Sequence, residues 1–93
     1  RLAWNHFSQK VEARHRIKNQ PPSDADTALL TLASLIYQRH RTIPCILTRD
    51  GDFEEIASEE SQGVTPLKKE YLSSHTISFI SRPFAITIYT PRE

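Results

Sequence analysis

The sequence predicts one α/β domain in which helices flank a parallel sheet in three layers. Two helical patterns come first, a short apolar run of strand length follows near the middle, and two β-prone segments close the chain. With 93 residues, the chain is long enough for a single domain spanning residues 1–93 and no more.

Two helices are predicted in the first half of the chain. The spacing of Trp4, Phe7 and Val11 is helical and predicts a helix over residues 1–18, which ends before a proline pair. Ser23 and Asp26 have the spacing of a capping box and predict the start of the second helix. That helix carries one apolar stripe, the kind of face that a helix turns toward the core: Ala25, Ala28, Leu29, Leu32, Ala33 and Ile36.

The second half of the chain contains the predicted strands. Residues 43–48 are apolar without alternation, which predicts a central strand buried on both faces and an inaccessible Cys45. Residues 84–88 should lie beside that strand or one position away, and residues 76–80 alternate as a further strand. Between the strands, the sequence predicts two short helices, one beginning at Asp52 with Phe53, Ile56 and Ala57 inward, and one from Thr65 to Leu72.

Composition limits the functional classes. The net charge of +1 gives no strong field toward nucleic acid, and no apolar run reaches the ~18 residues of a membrane span. The single cysteine cannot form an internal disulfide, which favours a reducing, cytoplasmic compartment. The chain lacks methionine and begins with Arg1 in a helical pattern, so we expect it to be a piece of a longer protein.

Acidic residues cluster at two places, Asp24 and Asp26 at a helix start and Asp50 and Asp52 at a strand end. Helix starts and strand ends meet at one edge of an α/β sheet, so Asp26, Asp50 and Asp52 should converge within about 8 Å of a common point. Crowded carboxylates repel unless a cation intervenes, and Mg²⁺ or Mn²⁺ is the usual one. In the alternative interpretation, Asp26 completes a capping box and residues 50–52 form an ordinary turn with a helix cap.

Other candidate groups are weaker. The four histidines lack zinc-ligand spacing, and Cys45 fits a core position. Arg39, Arg41 and Arg49 are predicted to flank the acids and could hold phosphates, although a solvated helix end also explains them.

Two segments resemble the second half of a PIN domain. They are Asp26-Thr-Ala-Leu-Leu-Thr-Leu-Ala33 and Ile46-Leu-Thr-Arg-Asp-Gly-Asp-Phe53, and the tail from Ile86 to Glu93 is similar to the last strand of that family. The resemblance covers residues 24–57 and 84–93. It implies a parallel sheet between helices and a divalent-metal-dependent nuclease that cleaves RNA, or structured DNA in relatives.

Carried over by position, Asp26 matches the third acid of the family, and Asp50 and Asp52 match the fourth. Asp24 is a neighbouring candidate ligand. The first strand of the family and its acid have no counterpart, so we expect an incomplete domain, with Glu12 as a weak match for the second acid.

The resemblance implies an endoribonuclease, with RNA as substrate. A role as the toxin of a toxin–antitoxin pair, an antitoxin partner and a homodimer are further expectations from it. Two alternatives remain at this point: a non-catalytic PIN-like binding module, and an unrelated α/β interaction domain in which Asp26 and Asp52 only cap helices.

Overall fold

The computed structural model describes residues 2–92 and confirms the α/β class. Arg1 and Glu93, at the ends of the predicted first helix and closing segment, lie outside the described residues. The elements follow in the order α1 (Leu2–Ile17), α2 (Asp24–His40), β1 (Cys45–Leu47), α3 (Asp52–Glu60), β2 (Leu67–Glu70), β3 (Ser74–Ile80) and β4 (Ala85–Pro91).

The four strands form one mixed sheet in the order β1-β4-β3-β2. Only β1 and β4 run parallel, while β2–β3 and β3–β4 are antiparallel. The prediction of a parallel sheet was therefore right for one pair alone. The short connections after β2 and β3 explain this, because a few residues can join antiparallel strands whereas a parallel pair needs a long crossover.

The described residues form two layers rather than the predicted three. Ile46, Ile88 and Ile77 lie side by side across β1, β4 and β3. They share one buried cluster with residues from all three helices, among them Phe7 and Leu30. The helices therefore cover one face of the sheet, and the other face carries the alternate side chains of each strand.

Strand β1 corrects the prediction for residues 43–48. It is three residues long and lies at the sheet edge, and only Ile46 is buried. Cys45 is exposed and Leu47 is 68% exposed, because helices cover only one face and alternate side chains of an edge strand point to solvent. The predicted placement of residues 84–88 beside this strand is confirmed, since β4 pairs with β1.

The helix predicted from Thr65 to Leu72 is wrong. Residues 67–70 form β2, which pairs with β3 and has four exposed residues. An isolated helix of two turns is marginal because nucleation is costly, whereas pairing with β3 satisfies the backbone directly. The short helix at Asp52 is confirmed, with Phe53, Ile56 and Ala57 buried.

Helix α2 starts where the sequence predicts but turns a different face inward. Ser23 is the N-cap, and its hydroxyl accepts a hydrogen bond from the Asp26 N–H at 3.2 Å. Apart from Ala33, the predicted stripe faces away from the core, with Leu29 43% and Leu32 56% exposed. Helix α1 and strand β4 pack on the opposite side, and they bury Thr27, Leu30, Ala33, Ser34 and Tyr37.

Candidate metal centre

His15 lies at the centre of the candidate site. It continues the face of α1 that carries Phe7 and Val11, since residues four apart share a helix face, and it is 8% exposed. Its Nδ1 atom lies 2.6 Å from the carbonyl oxygen of Pro21. A carbonyl only accepts, so Nδ1 carries the hydrogen and donates it to Pro21. The other ring nitrogen, Nε2, faces the Asp26 carboxylate, so it either donates an N–H to that carboxylate or gives its lone pair to a cation between them.

Asp26 contacts that Nε2 atom. Its Oδ2 atom lies 3.4 Å from His15 Nε2 and its side chain is 21% exposed. One of the two hydrogen bonds of the predicted capping box is present, because the Ser23 hydroxyl accepts from the Asp26 N–H. The Asp26 carboxylate, however, turns toward His15 instead of back toward Ser23. Capping alone therefore does not account for this residue.

Asp50 and Asp52 are fixed by the turn that follows β1. The Asp50 N–H donates to Thr48 Oγ1 at 3.0 Å, and Asp50 Oδ1 accepts from the Asp52 N–H at 2.9 Å. These local bonds are typical of aspartate in a tight turn. Gly51 occupies the N-cap position, so Asp52 is the first residue of α3 and not its cap as predicted.

These residues converge at one edge of the sheet. One ligand atom each from His15, Asp50 and Asp52 lie within 4.8 Å of one another. His15, Asp26 and Asp52 also line one cleft, so Asp26 joins the group through His15. The structure thus groups Asp50 and Asp52 with His15, whereas Asp26 contacts His15 but is not part of that group of three. Asp24 is exposed and does not belong to this group.

Two cations already contact the acids. Lys18 Nζ lies 2.6 Å from Asp52 Oδ2 and 3.5 Å from Asp50 Oδ1, and Arg14 Nε lies 3.4 Å from Asp52 Oδ1. Burial raises the pKa of Asp52, but the ion pairs with Lys18 and Arg14 outweigh it, so the pKa of Asp52 is lowered. The same contact acts in the opposite direction on Lys18, because the hydrogen bond to Asp52 raises the pKa of the Lys18 ammonium. The Asp52 carboxylate is therefore held ionised.

The Asp52 side chain is 9% exposed, and its buried Oδ2 atom lies 2.6 Å from the Lys18 ammonium. This oxygen is therefore already in contact with one cation, and a metal ion would have to replace Lys18 there. The cleft itself has no room for a water molecule, so an ion would lie at the rim beside Asp50. His15, Asp50 and Asp52 could hold a metal ion there.

The predicted phosphate-binding arginines do not all lie near these acids. Arg39 and Arg41 are at the far end of α2, about 20 Å from Asp26 by the helical rise. Arg41 stacks on Tyr37 at 4.8 Å and donates to the Arg82 carbonyl at 2.9 Å. The prediction that these two flank the acids is thus wrong.

Arg49 alone of the three adjoins the acidic turn. It immediately precedes Asp50 in the chain and is exposed, and its Nε donates to the Pro91 carbonyl at 3.2 Å. It remains the only predicted phosphate-binding arginine beside the candidate site.

Sequence reasoning missed His15, Lys18 and Arg14. The signal was nevertheless present, because positions 7, 11, 14, 15 and 18 lie on one side of a helix that Phe7 and Val11 turn inward. Histidine was judged by zinc spacing alone, and no role was predicted for Arg14 or Lys18. Their place beside the acids follows from extending the helical pattern by one turn.

Comparison of the chain with protein-family models, with curated proteins and with solved structures gave no match. The similarity to PIN domains thus rests on the residues quoted above. Across residues 2–92, none of the helices is both long enough and apolar enough to cross a membrane.

Proposed function

We propose that this chain supplies acidic ligands of a divalent-metal centre that hydrolyses RNA phosphodiester bonds, as PIN-type nucleases do. The observation that carries the proposal is the grouping of Asp50 and Asp52 with His15, which Asp26 contacts from the start of α2. RNA as the substrate, and a role as a toxin held in check by an antitoxin protein, are taken from the resemblance.

Each residue has a distinct role in this proposal. Asp50 and Asp52 would hold the ion, and His15 would offer Nε2 because the Pro21 carbonyl orients the ring through Nδ1, an arrangement common among metal-bound histidines. The Asp26 carboxylate lies 3.4 Å from the same Nε2, so it would stand beside an ion bound there. Oxygen ligands suit Mg²⁺ and Mn²⁺, and the imidazole favours Mn²⁺ of the two. When bound, such an ion lowers the pKa of a water and neutralises charge on the phosphate.

Lys18 and Arg14 have a part in the same proposal. Lys18 is 36% exposed, so its ammonium can leave Asp52 when an ion arrives and then contact a phosphate oxygen at the rim. Arg14 is less exposed, at 32%, and keeps Asp52 ionised and therefore able to ligate. Metal binding thus competes with an ammonium that is already in place.

The same ammonium favours a second candidate function, a non-catalytic PIN-like binding module. With Lys18 at 2.6 Å and Arg14 at 3.4 Å, the charge of Asp52 is compensated without any metal. In this case the cluster would only tie α1 to the turn that follows β1.

Metal binding separates the two candidates. Isothermal titration with Mn²⁺ should detect binding to the wild type, and Asp50→Asn should weaken it by about tenfold or more, because a charged oxygen ligand is lost. Lys18→Gln should tighten it, since the competing ammonium is gone. Glu59→Gln is the matched control, because Glu59 pairs with Lys10 at the other end of α3.

RNA cleavage is the second readout. A labelled single-stranded RNA should be cut only with Mn²⁺ or Mg²⁺, and Asp50→Asn should abolish this in a longer protein that contains the chain. The 93 residues alone should cleave weakly, because the resemblance matches only part of the family's acids within them. Failure of both the wild type and Lys18→Gln to bind Mn²⁺ would end the metal proposal and leave the binding module.

A further inference from the structure

Helix α2 exposes its more apolar side. We define the outer face of α2 as Ala25, Ala28, Leu29, Leu32 and Ile36, which are exposed or half-buried. The inner side includes Thr27 and Ser34 among its buried residues. A helix ordinarily buries its apolar stripe, so the reversed arrangement indicates that another surface covers the outer face.

The outer face is complementary to itself when reversed. Its start carries the small side chains Ala25 and Ala28, and its other end carries the large side chain of Ile36. Two antiparallel copies would set small side chains against large ones, with Leu32 near the centre. The spacing of residues 25, 29, 32 and 36 also follows the four-three alternation of a helix-pairing seam.

The charges at the ends of α2 match the same arrangement. Asp24 in the first turn and Arg39 in the last turn are exposed, and neither forms an ion pair with any residue in the range 2–92. An antiparallel partner would bring Arg39 of one copy to Asp24 of the other, twice per pair. A parallel partner would bring like charges together.

We propose that the outer face of α2 binds the same face of a second copy of this chain, with the two helices antiparallel about a two-fold axis. The contact is independent of the metal site, because Asp26 turns inward to His15 while the outer face points away. One helix of 17 residues spans about 25 Å and buries less than the roughly 1,200 Å² of a stable interface. The dimer should accordingly be weak and reversible.

Sedimentation equilibrium on the chain tests this with a matched pair of variants. Leu32→Lys places a charge at the centre of the contact on a side chain that is already 56% exposed, so folding should survive. Its dissociation constant should rise at least about tenfold, because a buried unpaired charge is costly. Leu72→Lys is the control, since Leu72 is fully exposed and lies outside the outer face. It should dimerise like the wild type.

A charge exchange tests the orientation. Asp24→Lys alone and Arg39→Glu alone should each weaken self-association, because each creates two like-charge contacts per dimer. An equimolar mixture of the two variants should associate again. In the mixed dimer the introduced lysine meets the introduced glutamate, and the unchanged Arg39 of one chain meets the unchanged Asp24 of the other. This recovery is expected only for an antiparallel pair.

Three outcomes would overturn the proposal. The first is a wild type that stays monomeric up to about 1 mM, a concentration that detects even a contact of about 4 kcal/mol. The second is a dimer that Leu32→Lys leaves intact, and the third is a mixture of charge variants that fails to associate. If the wild type is monomeric, the outer face is the docking site of a different segment or protein.

Discussion

Ion pairs join α1 to α3 at both ends of α3, and the two contacts differ in burial. At the start of α3, Asp52 contacts Arg14 and Lys18, and its side chain is 9% exposed. At the end of α3, Lys10 Nζ lies 2.8 Å from Glu59 Oε1, and the Glu59 side chain is 57% exposed. We call these the buried and the exposed ionic contact.

The difference shows why only one contact is a candidate site. Water can replace Lys10 at Glu59, so the exposed contact contributes little and costs little when it is lost. The Asp52 carboxylate is largely removed from water, so its charge must be compensated by a neighbouring cation. Arg14 and Lys18 do this in the structure, and a metal ion could take the place of Lys18. The helix dipole adds to the contrast, because Asp52 lies at the positive end of α3 and Glu59 at the negative end.

Removing each acid should give the largest contrast. Asp52→Ala should lower the free energy of unfolding by about 2 kcal/mol, less than for a fully buried pair, because Lys18 can turn to solvent. Glu59→Ala should cost only a few tenths of a kcal/mol. Urea unfolding of both variants measures this, and equal losses would show that burial does not separate the two contacts.

Acid should weaken the buried contact next. Because the pKa of Asp52 is lowered in the folded protein, its stabilising contribution is present above the unfolded value of about 3.9 and is lost as the pH falls through the lower folded value. The stability difference between wild type and Asp52→Asn should therefore shrink below about pH 4. A difference that stays constant down to the acid transition would contradict the ion pairs with Lys18 and Arg14.

Salt should produce the smallest effect, and only at the exposed contact. Glu59→Gln should cost a few tenths of a kcal/mol at low ionic strength and nothing measurable at about 1 M salt, where the screening length is about 3 Å. Glu59 raises the pKa of Lys10, so the contact persists to alkaline pH. The loss in Asp52→Ala should depend much less on salt, since little water separates that carboxylate from its partners.

Local signals in the sequence predicted α1, α2, α3, β3 and β4, but neither β2 nor the arrangement of the sheet. The Ser23 cap, the spacing of Phe7 and Val11 and the alternation before Ser81 act within a few residues, so pattern analysis can detect them. The edge position of β1 depends on how many strands exist and which of them pair. An apolar run such as residues 43–48 carries no information about that.

The candidate site likewise contains residues that the sequence predicted and residues that it did not. The place of Asp50 and Asp52 at the end of β1 was predictable, because the turn after a strand is a common position for ligands in α/β sheets. The contacts of His15 and Lys18 with them depend on how α1 rotates and packs, which tertiary contacts determine. The exposure of Leu29 and Leu32 could not be predicted either, because both sides of α2 carry apolar residues and only tertiary contacts decide which side is buried.

The single-sided pairing of β1 has a consequence for amide hydrogen exchange. The Thr48 N–H donates to the Tyr89 carbonyl, and the Pro44 carbonyl accepts from Thr87, so even-numbered residues of this segment bond to β4. In a parallel ladder the intervening residues direct both backbone groups the other way. The amides of Cys45 and Leu47 should therefore exchange with solvent deuterium quickly, while those of Ile46 and Thr48 stay protected.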